Sequence, residues 1–268
     1  MKKKIHFSPS FLIGFDACPY KQLTETFSSN VYTVFGDAVH DIAERYSEGT
    51  LNLDEIDVNQ MLQDTDAMNE AKGIDIKINT SKFRTKLKNI IEHLPDFNMP
   101  DHDIVDIESK NAPSKHRECF FGKTFLTVPI MSGPIYLRGR IDIIFENEEE
   151  IVICDWKTGK SLAPELQTIA YSIMTCLSRG IMPEDKTIKV RFNYLESGKV
   201  VEQIVTSEKL EFYYEKIKDI IAEYYKQIEL DEYSKKPSFN TCRFCKCPCY
   251  VGRSFQSNFG PSKTVSGY

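Results

Sequence analysis

Asp155 and Lys157, two positions apart at the end of the run Ile151-Val-Ile-Cys-Asp155-Trp-Lys157, form the pair best equipped for chemistry in this chain. In an extended segment residues i and i+2 face the same way, so the carboxylate and the ammonium would stand side by side. Asp142, thirteen residues earlier in Gly139-Arg-Ile-Asp142-Ile-Ile-Phe145, supplies a second carboxylate in another strand-like run. The acidic stretch Glu146-Asn-Glu-Glu-Glu150 between the two runs reads as a hairpin connection. Such a hairpin would bring both acids and the lysine to one place. Two carboxylates are hard oxygen ligands for Mg²⁺ or Mn²⁺, and a lysine beside them can position water or stabilise a phosphate oxyanion. That is the equipment of metal-assisted phosphodiester hydrolysis. An acid-x-lysine pair at a strand end is commonplace by itself, so the reading depends on its surroundings.

Two helices would have to position partners around that hairpin. The segment Glu165-Leu-Gln167-Thr-Ile-Ala-Tyr171-Ser-Ile-Met174 has helical periodicity and sets Gln167 and Tyr171 on one face. Upstream, Val34-Phe-Gly36-Asp-Ala-Val-His40-Asp-Ile-Ala-Glu-Arg-Tyr46 is a second helix signal, and it carries a histidine. By residue type alone His40 reads equally as a core histidine, and Tyr171 as a packing residue. Residues 51–97 alternate charged and apolar positions at helical spacing and read as a helical insertion over the core. Strand-like runs follow at Ile104 to Glu108, Phe120 to Val128 and Ile135 to Phe145. A further hairpin is expected from Thr187-Ile-Lys-Val-Arg-Phe-Asn-Tyr194 and Val200 to Val205, joined by Glu196-Ser-Gly-Lys199. A long amphipathic helix is expected from Glu208 to Leu230, and 251–268 reads as a flexible tail.

The order and spacing of Gly36…His40, Gly139-x-x-Asp142, Asp155-x-Lys157 and Gln167-x-x-x-Tyr171 resemble the RecB-type branch of the PD-(D/E)xK nuclease superfamily. The resemblance runs from about Phe7 to Cys249. Similar proteins include the nuclease domains of recombination helicase-nucleases and the CRISPR-associated exonucleases that trim spacers. The resemblance implies an α/β, restriction-endonuclease-like core with a central mixed sheet flanked by helices, in a single nuclease domain over 1–250. It implies that Asp142, Asp155 and His40 hold Mg²⁺ or Mn²⁺ and that Lys157 orients the attacking water. Gln167 and Tyr171 would hold the DNA strand beside the scissile phosphate. Glu108 reads equally as an aid to the metal shell and as a plain exposed acid. DNA is the implied substrate, with a helicase, recombinase or integrase-like protein as a partner.

Eight cysteines give a separate thread, four of them in Thr241-Cys-Arg-Phe-Cys-Lys-Cys-Pro-Cys-Tyr250. The start Met-Lys-Lys-Lys-Ile-His has no apolar signal region, which points to a reducing cytoplasm, bacterial or phage-infected. There a metal or iron–sulfur site is a better reading than disulfides. Cys242-x-x-Cys245 has the spacing of a thiolate chelate for zinc or for a cluster. The segment Phe7-Ser-Pro-Ser-Phe-Leu-Ile-Gly-Phe-Asp-Ala-Cys18-Pro-Tyr-Lys21 also resembles the RecB-type iron–sulfur nucleases. In those, one N-terminal and three C-terminal cysteines hold a 4Fe–4S cluster that staples the chain. The ligands implied here are Cys18, Cys242, Cys245 and Cys249, with Cys247 as an alternative. Zn²⁺ in a four-cysteine site stays the competing reading. The third C-terminal cysteine lies closer to its neighbours than the family pattern has it. Cys119, Cys154 and Cys176 read as buried small hydrophobes.

With 268 residues, 41% of them hydrophobic, the chain can bury a full core. No run of eighteen apolar residues occurs, so no membrane span is expected. A net charge of −5 argues against coating nucleic acid by bulk charge, though Lys2-Lys-Lys4 and Lys82-Phe-Arg-Thr-Lys-Leu-Lys88 are locally basic. Both stretches read equally as solvated faces. Gly159-Lys160-Ser161 is not a phosphate loop, because position 154 is cysteine where glycine is needed, so no helicase motor is present in this sequence. The expectation is a divalent-metal-dependent DNA exonuclease acting on single strands or ends in replication, recombination or defence. The alternative is a catalytically idle nucleic-acid-binding protein or a zinc-stapled accessory subunit of a helicase or integrase-like complex.

Overall fold

Strand β7 (Glu150–Lys157) is the axis of the fold, and its sequence explains why. Every residue from Ile151 to Trp156 is buried, as a continuous apolar run should be when both faces of a strand are covered. The structure, a computed structural model, describes residues 6–25, 29–104, 118–120, 123–131, 133, 135–160, 164–242 and 245. On one side β7 pairs antiparallel with β6 (Ile143–Glu146), through a turn at 147–149, inside the connection expected over Glu146 to Glu150. On the other it pairs in parallel with β8 (Thr187–Tyr194). Parallel neighbours need a crossover, and the helix here numbered α6 (Glu165–Arg179) provides it. Strand β9 (Lys199–Val205) completes the second expected hairpin with β8, and β2 (Asp103–Ile104) lies on the far edge beside β6.

The rest of the β-structure forms a second sheet. Strands β3 (Glu118–Phe120), β4 (Lys123–Met131) and β5 (Ile135–Arg140) make an antiparallel meander, and β1 (His6–Phe7) joins β5 in parallel. The run from Ile135 to Phe145 is therefore not one strand. It leaves the four-stranded sheet after Arg140 and enters the five-stranded sheet at Ile143. Asp142 stands in the break rather than within a strand, and that matters for its reach.

Helices fill both faces of the larger sheet. Ile151 and Ile153 pack with α6, with α1 (Pro9–Ala17) and with α7 (Ser207–Leu230), and the smaller sheet closes the same core through Val128, Ile130 and Leu137. The alternate residues Val152, Cys154 and Trp156 pack with α3 (Val31–Ser47), α4 (Val58–Ala71) and α5 (Ser81–His93). The expected insertion at 51–97 thus supplies, with α3, the helical cover of one sheet face among the described residues. Side-chain caps start its helices: Asp57 Oδ1 accepts from Asn59 and Gln60 N–H, and Thr80 Oγ1 from Phe83 N–H. Among the described residues no helix is long and apolar enough to cross a membrane.

A short helix, α2 (Pro19–Thr24), follows α1, and residues 234–242 lie along this pair. Tyr20 N–H donates to Ser234 C=O at 3.0 Å, and Lys236 Nζ donates to Asp16 C=O at 3.0 Å. Glu108, Lys2–Lys4, Cys247, Cys249 and the tail 251–268 lie outside the described residues.

Candidate active site

The antiparallel register that pairs Ile143 with Cys154 brings Asp142, one residue before β6, opposite Asp155. Freed from the ladder, Asp142 turns its carboxylate toward β7, where Oδ2 accepts the Trp156 N–H at 2.8 Å. Its Oδ1 lies 2.9 Å from His40 Nδ1 and 3.6 Å from an Arg140 guanidinium nitrogen. His40 reaches it from α3, on the sheet face where Trp156 packs, with the two rings 6.2 Å apart. Asn30 caps that helix by accepting from Tyr32 and Thr33 N–H, which fixes where α3 begins.

Asp155 is served from the opposite face. Its Oδ1 accepts from Gln167 Nε2 at 3.2 Å, and Gln167 Nε2 also donates to the Tyr171 hydroxyl oxygen at 3.1 Å. Lys157 Nζ lies 2.6 Å from Asp155 Oδ2 and donates to Gln167 Oε1 at 3.4 Å. The i, i+2 and i, i+4 relations read from the sequence are thus realised, and they interlock. Gly36 sits one turn before His40, facing Thr158. Gly139 is required by packing, because a Cβ there would come within 3.1–3.2 Å of Met174 and of the Pro9 ring.

Electrostatics divides the two acids. Burial and then the negative charge of Asp142 push Asp155 up to about 6. Burial acts on Asp142 too, but the His40 ring, the Trp156 N–H and Arg140 outweigh it and hold this carboxyl below the usual range. Burial pulls His40 down while Asp142 pulls it up more strongly, so it rests above the ordinary histidine value. Burial pushes the Tyr171 hydroxyl well up, which keeps it a neutral donor.

Two observations bear on a bound cation. Asp155 is buried beside the negative charge of Asp142, and Lys157 Nζ, 2.6 Å from its Oδ2, is the cation that partners it in the metal's absence. His40 Nδ1 and Asp142 Oδ1 stand 2.9 Å apart, close to the roughly 3.0 Å separating adjacent ligands of an octahedral ion bound at about 2.1 Å. The donor set fits Mg²⁺ or Mn²⁺. Among the described residues, however, no three His, Cys, Asp or Glu side chains already converge as a closed cage.

Of the cysteines implied to form a cluster, Cys18 lies at the junction of α1 and α2 and is buried. Cys242, at the end of α8 (Phe239–Cys242), is also buried, and Cys245 follows half-buried. Cys154 and Cys176 are buried as expected, and burial raises both thiols, Cys176 to about 11. The Cys119 side chain lies outside what is described. The basic stretch Lys82–Lys88 falls on α5, where Lys86 pairs with Glu196 and Lys82 lies 5.0 Å over the Tyr32 ring. Arg140 had no assigned role in the sequence reading, although its i, i+2 relation to Asp142 was a usable signal.

A mixed α/β fold with acids, lysine and glutamine gathered at the end of a central hairpin defines a class of protein before any comparison is made. The model of the PD-(D/E)XK nuclease superfamily matches residues 6–250, and the chain belongs to that superfamily. No curated protein matches it. Seven solved chains match, among them the crystal structure of SSO0001. That structure is 12% identical over 98% of this chain and 89% of its own, with a TM-score of 0.32.

Proposed function

We propose that this nuclease is a divalent-metal-dependent DNA exonuclease working at the Asp142–Asp155 pair. The observation that carries the reading is the pair of buried carboxylates, Asp142 and Asp155, close enough for one charge to raise the other, with Lys157 Nζ 2.6 Å from Asp155 Oδ2. Asp142, Asp155 and His40 would hold Mg²⁺ or Mn²⁺, which when bound supplies Lewis acidity at the scissile phosphate and the attacking water. Lys157 orients that water and offsets charge building on the phosphoryl oxygens. Gln167 couples Asp155, Lys157 and Tyr171, so the lysine and the acid keep one relative position. Tyr171, a neutral hydroxyl, donates to a DNA phosphate oxygen. A strand unwound by a helicase or recombinase partner would supply the substrate.

Cys18, Cys242, Cys245 and Cys249 would hold a 4Fe–4S cluster, with Cys247 as alternative ligand and Zn²⁺ as alternative metal. Supporting this, residues 234–242 dock on α1–α2 and both Cys18 and Cys242 are buried.

End-labelled DNA incubated with purified protein and Mn²⁺ tests the activity. Shortening from the labelled or opposite end is expected. Asp155→Ala and Lys157→Ala should each slow it on the order of a hundredfold or more while DNA binding persists. Undiminished cleavage by the Asp155 variant would place the chemistry elsewhere, and internal nicking of circular DNA would make it an endonuclease.

A further inference from the structure

Every second residue along β5 makes a row: Tyr136, Arg138 and Arg140 are half-buried, while Leu137 and Gly139 turn into the core. Alternate residues of a strand stand about 6.7 Å apart. The row therefore advances in steps that an extended nucleic-acid strand can match, phosphate by phosphate. It ends at the carboxylates, since Arg140 lies 3.6 Å from Asp142 Oδ1. Alongside it runs a groove of about 460 Å³ lined by Ser8, Ser10, Arg138, Arg140, Gln167 and Tyr171, among others. Among the described residues no acidic side chain lines this groove, in a chain whose net charge is −5. At its far end His6 stacks on Tyr136, ring centres 5.4 Å apart and planes 23° from parallel. At its near end Gln167 already touches Asp155.

We propose that this groove is the track along which single-stranded DNA enters the site. Arg138 and Arg140 take consecutive phosphates, Ser8 and Ser10 donate their hydroxyls to the same backbone, and the His6–Tyr136 pair offers a stacking surface to an unpaired base. Guanidinium groups suit phosphate because they present paired donors in a fixed plane. Stacking on an aromatic needs a base face that a paired duplex does not expose. The inference rests on the nuclease reading above and narrows its substrate to a single strand.

The test separates binding from chemistry. Fluorescence anisotropy of a labelled single-stranded oligonucleotide, in buffer without divalent metal, is expected to show roughly tenfold weaker binding by Arg138→Ala, with a salt slope shallower by roughly 0.7. Tyr136→Ala should lose a similar factor, and Tyr136→Phe should bind like the parent. Lys88→Ala, on exposed α5 away from the groove, should change nothing. Hydrolysis of bis(p-nitrophenyl) phosphate, too short to reach Arg138, should be the same in parent and variants. Parent-like oligonucleotide binding by both alanine variants would overturn the track. So would a parallel fall in small-diester hydrolysis, which marks a structural role, or blunt duplex bound as tightly as single strand. A protein that cleaves nothing yet shows these binding losses would refute the nuclease reading and leave the groove standing. A cleaving protein with unaltered binding would do the reverse.

Discussion

Asp142 and Asp155 have similar burial and opposite electrostatic fates, because one has a histidine, a backbone N–H and an arginine while the other, paired with Lys157, also faces the charge of Asp142. In the metal-free chain Asp155 gives up its proton at about 6. A cation needs ionised Asp155 and neutral His40, and His40 rests above the ordinary histidine value, so affinity should be full only above both and fall as pH drops through them, by roughly tenfold per unit for each proton gained. Calorimetric titration of Mn²⁺ one unit above and one unit below checks the sign; affinity independent of pH over that span would contradict it. His40 can be separated from a core histidine by metal titration. As a ligand, His40→Ala should lose most activity at low metal and regain part of it with excess Mn²⁺, which accepts nitrogen donors more readily than Mg²⁺. As a packing residue it would lose melting temperature with no metal dependence. The chemical pairs at this scale were legible in the sequence, since i, i+2 and i, i+4 relations are fixed by local backbone geometry. The partner that supports Asp142 through Trp156 N–H was not, because backbone donors leave no mark in residue types.

The elements were legible where their cause is local. The hairpin at 147–149, the helix of Gln167 and the long helix after Ser207 all formed close to their expected bounds. The break between Arg140 and Ile143 was not visible. Both halves are apolar and β-prone, and only competition between two sheets decides where the run divides. Nor did periodicity alone show that 51–97 supplies half of a core rather than an overlay. The break depends on β5 lying close under α1 and α6, which Gly139 permits. Gly139→Val should therefore push Met174 and Pro9 away and destabilise the fold by on the order of 1–3 kcal/mol. The same shift at the break should lower kcat. Thermal melting and steady-state rates measure the two effects, and an unchanged melting temperature would show that the strand relaxes freely.

For the whole molecule, residues separated by more than two hundred positions meet where 234–242 runs along α1–α2. A bond between such distant segments closes a long loop and acts mainly on stability. Cys18→Ala should lower solubility and melting temperature well before it alters the rate at Asp142. Anaerobically purified protein is expected to be brown, with broad absorption near roughly 400 nm as thiolate-bound iron–sulfur clusters give. A colourless protein with one zinc per chain would replace the iron and keep the staple. The proximity of these segments was not legible from spacing; the family resemblance supplied it.

Ribosomes emit a chain in one direction, and here α1–α2 emerge early while the segment that seals them emerges late. His40, Asp142, Asp155, Lys157, Gln167 and Tyr171 all precede residue 172, so every residue of the site is synthesised before the segment that seals α1–α2. Nascent chains stalled after Leu230 and after Tyr268 can be compared by limited proteolysis and by DNA cleavage. Equal resistance and equal activity would mean that the seal comes too late to matter.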